Sequence, residues 1–276
     1  MIRIIVDSAS DCRNGCFAYD ALIPLSVSIG GQDYLDGVQL TSDQFYHLLE
    51  TSTEFPKTSQ PSPELFAEEF QKAAAAGDTV LCLCLSSALS GTYQSAVIAK
   101  NLVDYDEIYI LDTKLVSHLI GVVADYASKL AKENLPIGEI ISCCQDLIPR
   151  VRVFAGLETL EYLQKGGRLS RTSAAVGQLA GIKPIVTLTP DGEINGGLKA
   201  IGTPRAISTI ISRMAGVELD PTFPVYTLYT NGTENTQMLE AKLLAAGISS
   251  AGRLQVGPTI GAHVGPGVYG VMFVVK

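Results

Sequence analysis

Thr79–Leu85 reads TVLCLCL, and Ser86-Ser87-Ala88-Leu89-Ser90-Gly91-Thr92 follows it directly. A short, near-continuous apolar run of this kind forms a strand buried on both faces, as strands of parallel sheets are. A helix then opens near Ser90–Thr92 and runs to about Leu102. In open α/β sheets, ligands bind outside the carboxyl ends of the strands. The free N–H groups and positive dipole end of the next helix suit an anion there. Ser90 is placed either to donate its hydroxyl to such an anion or simply to cap the helix. This segment alone leaves both readings open.

The neighbouring segments extend the same pattern. Ile2–Val6 is a second short apolar run, and Glu107–Leu111 a third. Thr41 with Gln44 forms a capping-box pattern that opens a helix through Glu50. Ser62-Pro63 opens another, which closes at Gly77. Helices are predicted over Leu115–Lys132 and Ile137–Ile148. Strands alternating with helices at this spacing predict a parallel sheet covered on both faces.

The character changes near residue 150. Val151–Ala155 is a strand, Thr159–Lys165 a helix that ends at Gly166-Gly167, and Ala174–Leu179 a second short helix. Ile185–Leu188 and Ile194 flank the hairpin turn Pro190-Asp191-Gly192. A helix from Pro204 to Met214, a strand over Val225–Tyr229, a helix over Glu234–Ala246 and a strand over Gly270–Val275 complete the chain. The predicted fold is α/β. An N-terminal parallel-sheet α/β/α domain spans residues 1–150, and a smaller C-terminal α+β domain spans 151–276. A ligand cleft is expected between them.

Composition narrows the function. The 276 residues are 47% hydrophobic and 17% charged, with a net charge of −8. An acidic chain with no basic run repels nucleic-acid phosphates and anionic membrane surfaces. No run of apolar residues is long enough to span a membrane, and the apolar stretch before Asp7 is too short for a signal peptide. A cytoplasmic location is expected. Cys12, Cys16, Cys82, Cys84, Cys143 and Cys144 have no disulfide or zinc spacing. Cys82 and Cys84 share one face of their strand and are expected to pack against helices as reduced thiols. With no repeated apolar seam, a monomer is expected.

Two more polar segments stand out. Lys57-Thr58-Ser59-Gln60-Pro61-Ser62-Pro63 precedes a helix and is either part of a site beside the Ser90 turn or a proline-stiffened turn. Gly257–Gly267 frames His263 with glycines and prolines, which implies tight turns or close backbone approach. Of the three histidines, His47 and His118 fall on predicted helices as packing or surface residues, which leaves His263 as the candidate. There is no G-x-x-x-x-G-K-[ST] loop, no G-x-G-x-x-G after the first strand, no H-E-x-x-H and no G-x-S-x-G elbow. No metal site and no catalytic set is identified. An apolar excess with one anion site points to a binder of an amphipathic acid.

Seven motifs in order resemble the DegV family, whose characterised members are the fatty-acid-binding subunits of bacterial fatty acid kinase. They are Asp7-Ser8-Ala9-Ser10-Asp11, Pro24-Leu25-Ser26-Val27, Thr58-Ser59-Gln60-Pro61-Ser62 and Leu85-Ser86-Ser87-Ala88-Leu89-Ser90-Gly91-Thr92-Tyr93. Leu163-Gln164-Lys165-Gly166-Gly167-Arg168-Leu169-Ser170, Ile182-Lys183-Pro184-Ile185 and the His263 cluster follow. The resemblance implies an acyl chain buried in a tunnel between and within the two domains. It assigns the carboxylate to Thr58 and Ser90, with Ser59, Gly91 and Thr92 beside them and His263 in the same network. It implies no cofactor other than the bound fatty acid. A separate ATP-dependent kinase subunit would phosphorylate the acid, docking through Arg168 and Arg205. Asp7 and Ser8 would support the site from behind.

Two rival readings remain at this level. Ser90, His263 and Asp7 could form a hydrolase triad, or the protein could carry another small acid without a kinase partner. Arg168 and Arg171 could equally belong to a solvated loop.

Overall fold

The computed structural model describes residues 1–169 and 181–276. The chain runs β1 (Ile2–Asp7), β2 (Ala21–Ile23), β3 (Ser26–Ile29), β4 (Gln32–Leu35), α1 (Ser42–Thr51), β5 (Lys57–Ser59) and α2 (Pro63–Ala76). Next come β6 (Thr79–Cys84), α3 (Thr92–Val103), β7 (Ile108–Asp112), α4 (His118–Lys132) and α5 (Ile137–Leu147). It continues with β8 (Val151–Gly156), α6 (Glu161–Lys165), β9 (Ile182–Leu188), β10 (Ile194–Ile201) and α7 (Thr203–Met214). Last are β11 (Tyr226–Tyr229), α8 (Glu234–Ala245), β12 (Gly252–Gln255), α9 (Pro258–Val264) and β13 (Tyr269–Val274). The Ala174–Leu179 helix, Ser170 and Arg171 lie outside the described residues.

β6 sits inside a parallel sheet of order β2-β1-β6-β7. Its side chains alternate between two apolar layers, as the pleat requires. Val80, Cys82 and Cys84 face α2 and α3, meeting Phe66, Phe70, Ala96 and Ala99. Leu81 and Leu83 face α4, meeting Leu119 and Val123. The two cysteine sulfurs lie 3.7 Å apart on one face and remain free thiols. The expected caps form: Thr41 and Gln44 close a full capping box on α1, and Gly77 ends α2 in the left-handed conformation at φ 68°.

The second sheet is mixed, of order β10-β9-β8-β13-β11-β12. On β13, Tyr269, Val271 and Phe273 point outward to α7 and α8, while Met272 and Val274 point inward. The inward residues join Val153, Ala155 and Val186 in the core that also holds α4 and the inner face of the parallel sheet. The α/β architecture of two sheets is therefore as expected, and one apolar core runs across residue 150.

Two features were not legible beforehand. β3, β4 and β5 form a separate antiparallel sheet of order β4-β3-β5. Its strands are three or four residues long, too short to declare a period. The Gly257–Gly267 segment, read as turns, holds the helix α9. α4 starts at His118 rather than Leu115, because Ser117 takes a left-handed φ of 53° at its N-cap. Among the described residues, no helix is long and apolar enough to cross a membrane.

Candidate functional site

The carboxyl ends of β1 and β6 meet through Asp7. Its Oδ2 accepts the Leu85 N–H at 2.7 Å and its Oδ1 accepts the Ala9 N–H at 3.0 Å. Ser8 Oγ accepts the Leu25 N–H at 2.9 Å. Both residues thus fix the strand-end loops from behind the cavity wall. Burial pushes the Asp7 carboxyl up to about 7, against the two N–H bonds that favour its charge.

The turn after β6 is held at several points. Ser86 Oγ donates to the Gly192 carbonyl at 2.9 Å, so the β9–β10 hairpin reaches back onto this turn. The Ser90 and Thr92 hydroxyls are 2.8 Å apart, and the Thr92 N–H donates to Ser90 Oγ at 3.3 Å. The N-cap of α3 is Gly91 and not Ser90. Ser90 instead lines an internal cavity. A side chain at Gly91 would have to displace Gln60: a Cβ there would fall 1.9 Å from Gln60 Oε1. Gln60 in turn donates to Ser95 Oγ at 2.9 Å, which docks the end of β5 beside the Ser90 turn.

β5 alternates as a strand must. Thr58 faces the cavity, while Lys57 and Ser59 are exposed on the other side. Ser59 therefore has no direct place in the cavity wall. Thr58 Oγ1 lies 2.8 Å from His263 Nε2, which α9 delivers. The other imidazole nitrogen, Nδ1, is buried without a partner against Gly166, where a Cβ would come within 2.2 Å of it. Burial, and then the nearby Arg168 guanidinium, hold the imidazole down at about 4, so it is neutral near pH 7. Arg168 Nε donates to the Leu89 carbonyl at 3.1 Å, and Nη1 donates to the Gly166 carbonyl. The guanidinium thus ties the Ser90 turn to the Gly166 turn.

A neutral imidazole carries one proton. On Nδ1 it would be a buried donor with no acceptor, which costs about 1–3 kcal/mol. On Nε2 it donates to Thr58 and leaves the Thr58 hydroxyl hydrogen free for a ligand oxygen. The packing around Gly166 favours the second tautomer.

Away from these polar groups the cavity is aliphatic, walled by Leu25, Leu119, Val153, Val186, Leu228 and Val268 among others. It is a narrow cavity of about 90 Å³ that opens to the surface. Beneath it lies a buried polar network that the sequence did not flag. Asp36 accepts from Arg13 Nη2 at 2.7 Å and from Thr259 Oγ1 at 2.5 Å. Ser117 Oγ donates to Asp11 Oδ2 at 2.5 Å. Thr259 and Ser117 both line the cavity. Asp11 and Thr259 belong to sequence motifs, but nothing in the sequence ties Arg13 to Asp36.

Some candidates are not brought together. Arg205 lies on α7 in a separate surface hollow with Lys199, Ser208 and Arg213. The Ser90–His263–Asp7 triad is not assembled. Asp7 is committed to two backbone N–H groups, and no acid partners His263 Nδ1. His118 is a buried packing residue whose Nε2–H donates to the Gln255 carbonyl at 2.9 Å, and His47 is exposed on α1. Among the described residues, no cluster of acidic, histidine or cysteine groups could hold a metal.

Fold and site define an α/β protein built around an internal apolar chamber with a hydroxyl–imidazole cluster in its wall. The profile of the family described as "Uncharacterised protein, DegV family" matches residues 1–276, and the chain belongs to the DegV family. A DegV domain-containing protein of Caldanaerobacter subterraneus subsp. tengcongensis is 36% identical over 276 residues, covering 99% of this chain and 98% of its own. A DegV family protein from Thermus thermophilus, whose structure is described as showing fatty acid binding, superposes with a TM-score of 0.88 at 29% identity. The alignment covers 100% of this chain and 99% of that one. The fatty acid binding DegV family protein of Streptococcus agalactiae superposes with a TM-score of 0.90 at 26% identity, with the same coverage.

Proposed function

We propose that this protein binds one long-chain fatty acid in the cavity, with the carboxylate at Thr58, Ser90 and His263. It then presents that carboxylate to a separate ATP-dependent kinase subunit, which forms the acyl phosphate. One observation carries the reading: a narrow aliphatic cavity meets a neutral hydroxyl–imidazole pair beside an arginine. The fatty-acid-binding DegV proteins of the same fold support it.

The energetics divide the work. Burying a methylene gains ~0.8 kcal/mol. A tail of about 16 carbons therefore gains on the order of 10 kcal/mol before the entropy of association is subtracted. The tail supplies affinity and the head group supplies orientation. Each hydrogen bond from Ser90 or Thr58 to the carboxylate adds about 1.5–3 kcal/mol. The protein needs no catalytic group of its own, because the phosphoryl donor belongs to the partner. Arg168, between the two turns that flank the carboxylate, is the proposed docking contact, with Arg205 as a more distant one. A cytoplasmic monomer with domains 1–150 and 151–276 completes the proposal.

Lipid extraction and native mass spectrometry of the purified protein test it. A stoichiometric straight-chain acid is expected, together with weaker retention or slower phosphorylation in Ser90→Ala. Arg168→Glu should lose phosphorylation in a coupled kinase assay even at acid concentrations that saturate the variant, whose affinity for acid falls too because the side chain lines the cavity. No copurifying acid and no uptake of added acid would overturn the reading. Stoichiometric labelling of Ser90 by a fluorophosphonate would favour a hydrolase instead.

A further inference from the structure

The six-stranded sheet is split at one point. β8 and β9 pair only at Ala155↔Val186 and Gly156↔Ile185. Both strands run on past that rung, β8 back to Val151 and β9 forward to Leu188. On the same register Val153 would stand opposite Leu188, but no ladder joins them. Each strand keeps its other neighbour there: Val153 pairs with Met272 of β13, and Leu188 pairs with Ile194 of β10. The gap therefore lies between two strands that are both held in place, rather than at a frayed end.

Val153, Thr187 and Leu188 flank this gap and line the main cavity. The same three residues line a second, surface hollow of about 230 Å³. That hollow is roofed by Ile148, Pro149 and Pro190, so it offers a hydrocarbon more than water does. Its two cations are already engaged. Lys114 Nζ lies 2.6 Å from Asp112 Oδ2, and Arg152 donates to the Pro149 carbonyl. It is thus a poor second seat for a carboxylate and a fair one for a tail.

We infer that the main cavity has a second mouth at the β8–β9 split, and that acyl tails too long for the cavity pass between Val153 and Leu188 into the outer hollow. This rests on the fatty-acid reading and adds to it a rule for chain length. The limit is set by the width of the split rather than by a closed end. Very long saturated acids are accepted, their last methylenes lying half-solvated against the two prolines.

The test compares dodecanoic, hexadecanoic and docosanoic acids by displacement of a fluorescent fatty acid. Leu188→Phe narrows the split and Leu188→Ala widens it. In the wild type, docosanoic acid should bind no worse than hexadecanoic acid. Leu188→Phe should weaken docosanoic acid by roughly tenfold or more, the worth of a few buried methylenes, and leave dodecanoic acid within about twofold. Leu188→Ala should leave docosanoic acid bound as in the wild type, and it reports on the split if the phenylalanine variant fails to fold. Identical length profiles in the wild type and Leu188→Phe would overturn the second mouth. So would a sharp loss of docosanoic acid in the wild type that Leu188→Ala does not relieve. In both cases the shorter acids still bind and the fatty-acid reading stands. A wild type that binds none of the three acids overturns that reading and this inference with it.

Discussion

Thr58 Oγ1 and His263 Nε2 lie 2.8 Å apart in the cavity wall, joined across 205 residues of chain. A three-residue strand carries one and a seven-residue helix the other. With the imidazole neutral and its proton on Nε2, the Thr58 hydroxyl accepts from the ring and donates to a ligand oxygen. His263 thereby orients the donor without bringing a charge of its own.

Replacing Thr58 by Val keeps the shape and removes the hydroxyl. It also leaves His263 Nε2 without its partner. Acid affinity should fall by about tenfold to a hundredfold, the worth of one hydrogen bond to a charged acceptor. Thr58→Ser should restore most of it. Displacement of a fluorescent fatty acid measures both, and unchanged affinity in Thr58→Val would remove this residue from the head-group site.

Gly166→Ala tests the imidazole's seat without touching a polar group. The backbone φ of −71° suits alanine, so no conformational strain is introduced. The new Cβ would stand 2.2 Å from His263 Nδ1, a ring that is buried and pinned by Thr58. Acid binding should fall at least as far as in Thr58→Val, and the overpacking should lower the thermal midpoint as well. Gly91→Ala is the contrast, because its obstacle is the amide end of exposed Gln60, which can swing toward solvent at the cost of its bond to Ser95. Equal effects from the two alanines would contradict this account.

Arg13 neutralises Asp36, which is fully buried at 0% exposure. Arg13→Met would leave that carboxylate without a counter-charge and should destabilise the fold by about 3–5 kcal/mol in urea unfolding. Asp36 also holds Thr259 in the cavity wall, so the variant's affinity for acid should drop as well. A change below about 1 kcal/mol would mean that the pair is solvated in practice.

Burial holds the His118 imidazole down at about 4, from 6.5 in an unfolded chain. As pH falls, the unfolded state takes up this proton first. The His118 contribution is therefore complete above 6.5 and lost progressively toward pH 4. Asp7 and Asp11, both raised from 3.8 to about 7, act in the opposite sense. Their contribution is complete below 3.8 and lost as pH rises toward 7. His263, likewise held at about 4, acts with His118, so the wild-type profile is a difference between opposed contributions and does not isolate either one. His118→Phe uncovers the difference: its stability deficit should shrink by roughly 2 kcal/mol between about pH 7.5 and about pH 5. A deficit independent of pH would show that the ring titrates alike in both states.

The parallel sheet, its helices and the turn that carries Ser90 can be read from residue order alone. These depend on local facts: the apolar run TVLCLCL, the Thr41–Gln44 box and the left-handed stop at Gly77. Each is an interaction among near neighbours in the chain, so it leaves a pattern in a single sequence. His263 stands out as the histidine framed by glycines and prolines, and Thr58 through a family's motifs. That they touch, that Gly166 leaves room for the ring, that Arg13 meets Asp36 and that β8 and β9 part at Val153 emerge from the packed chain. Those relations join residues far apart in the chain, and their energy comes from burial and close packing. That energy depends on where whole elements dock, which no local pattern encodes.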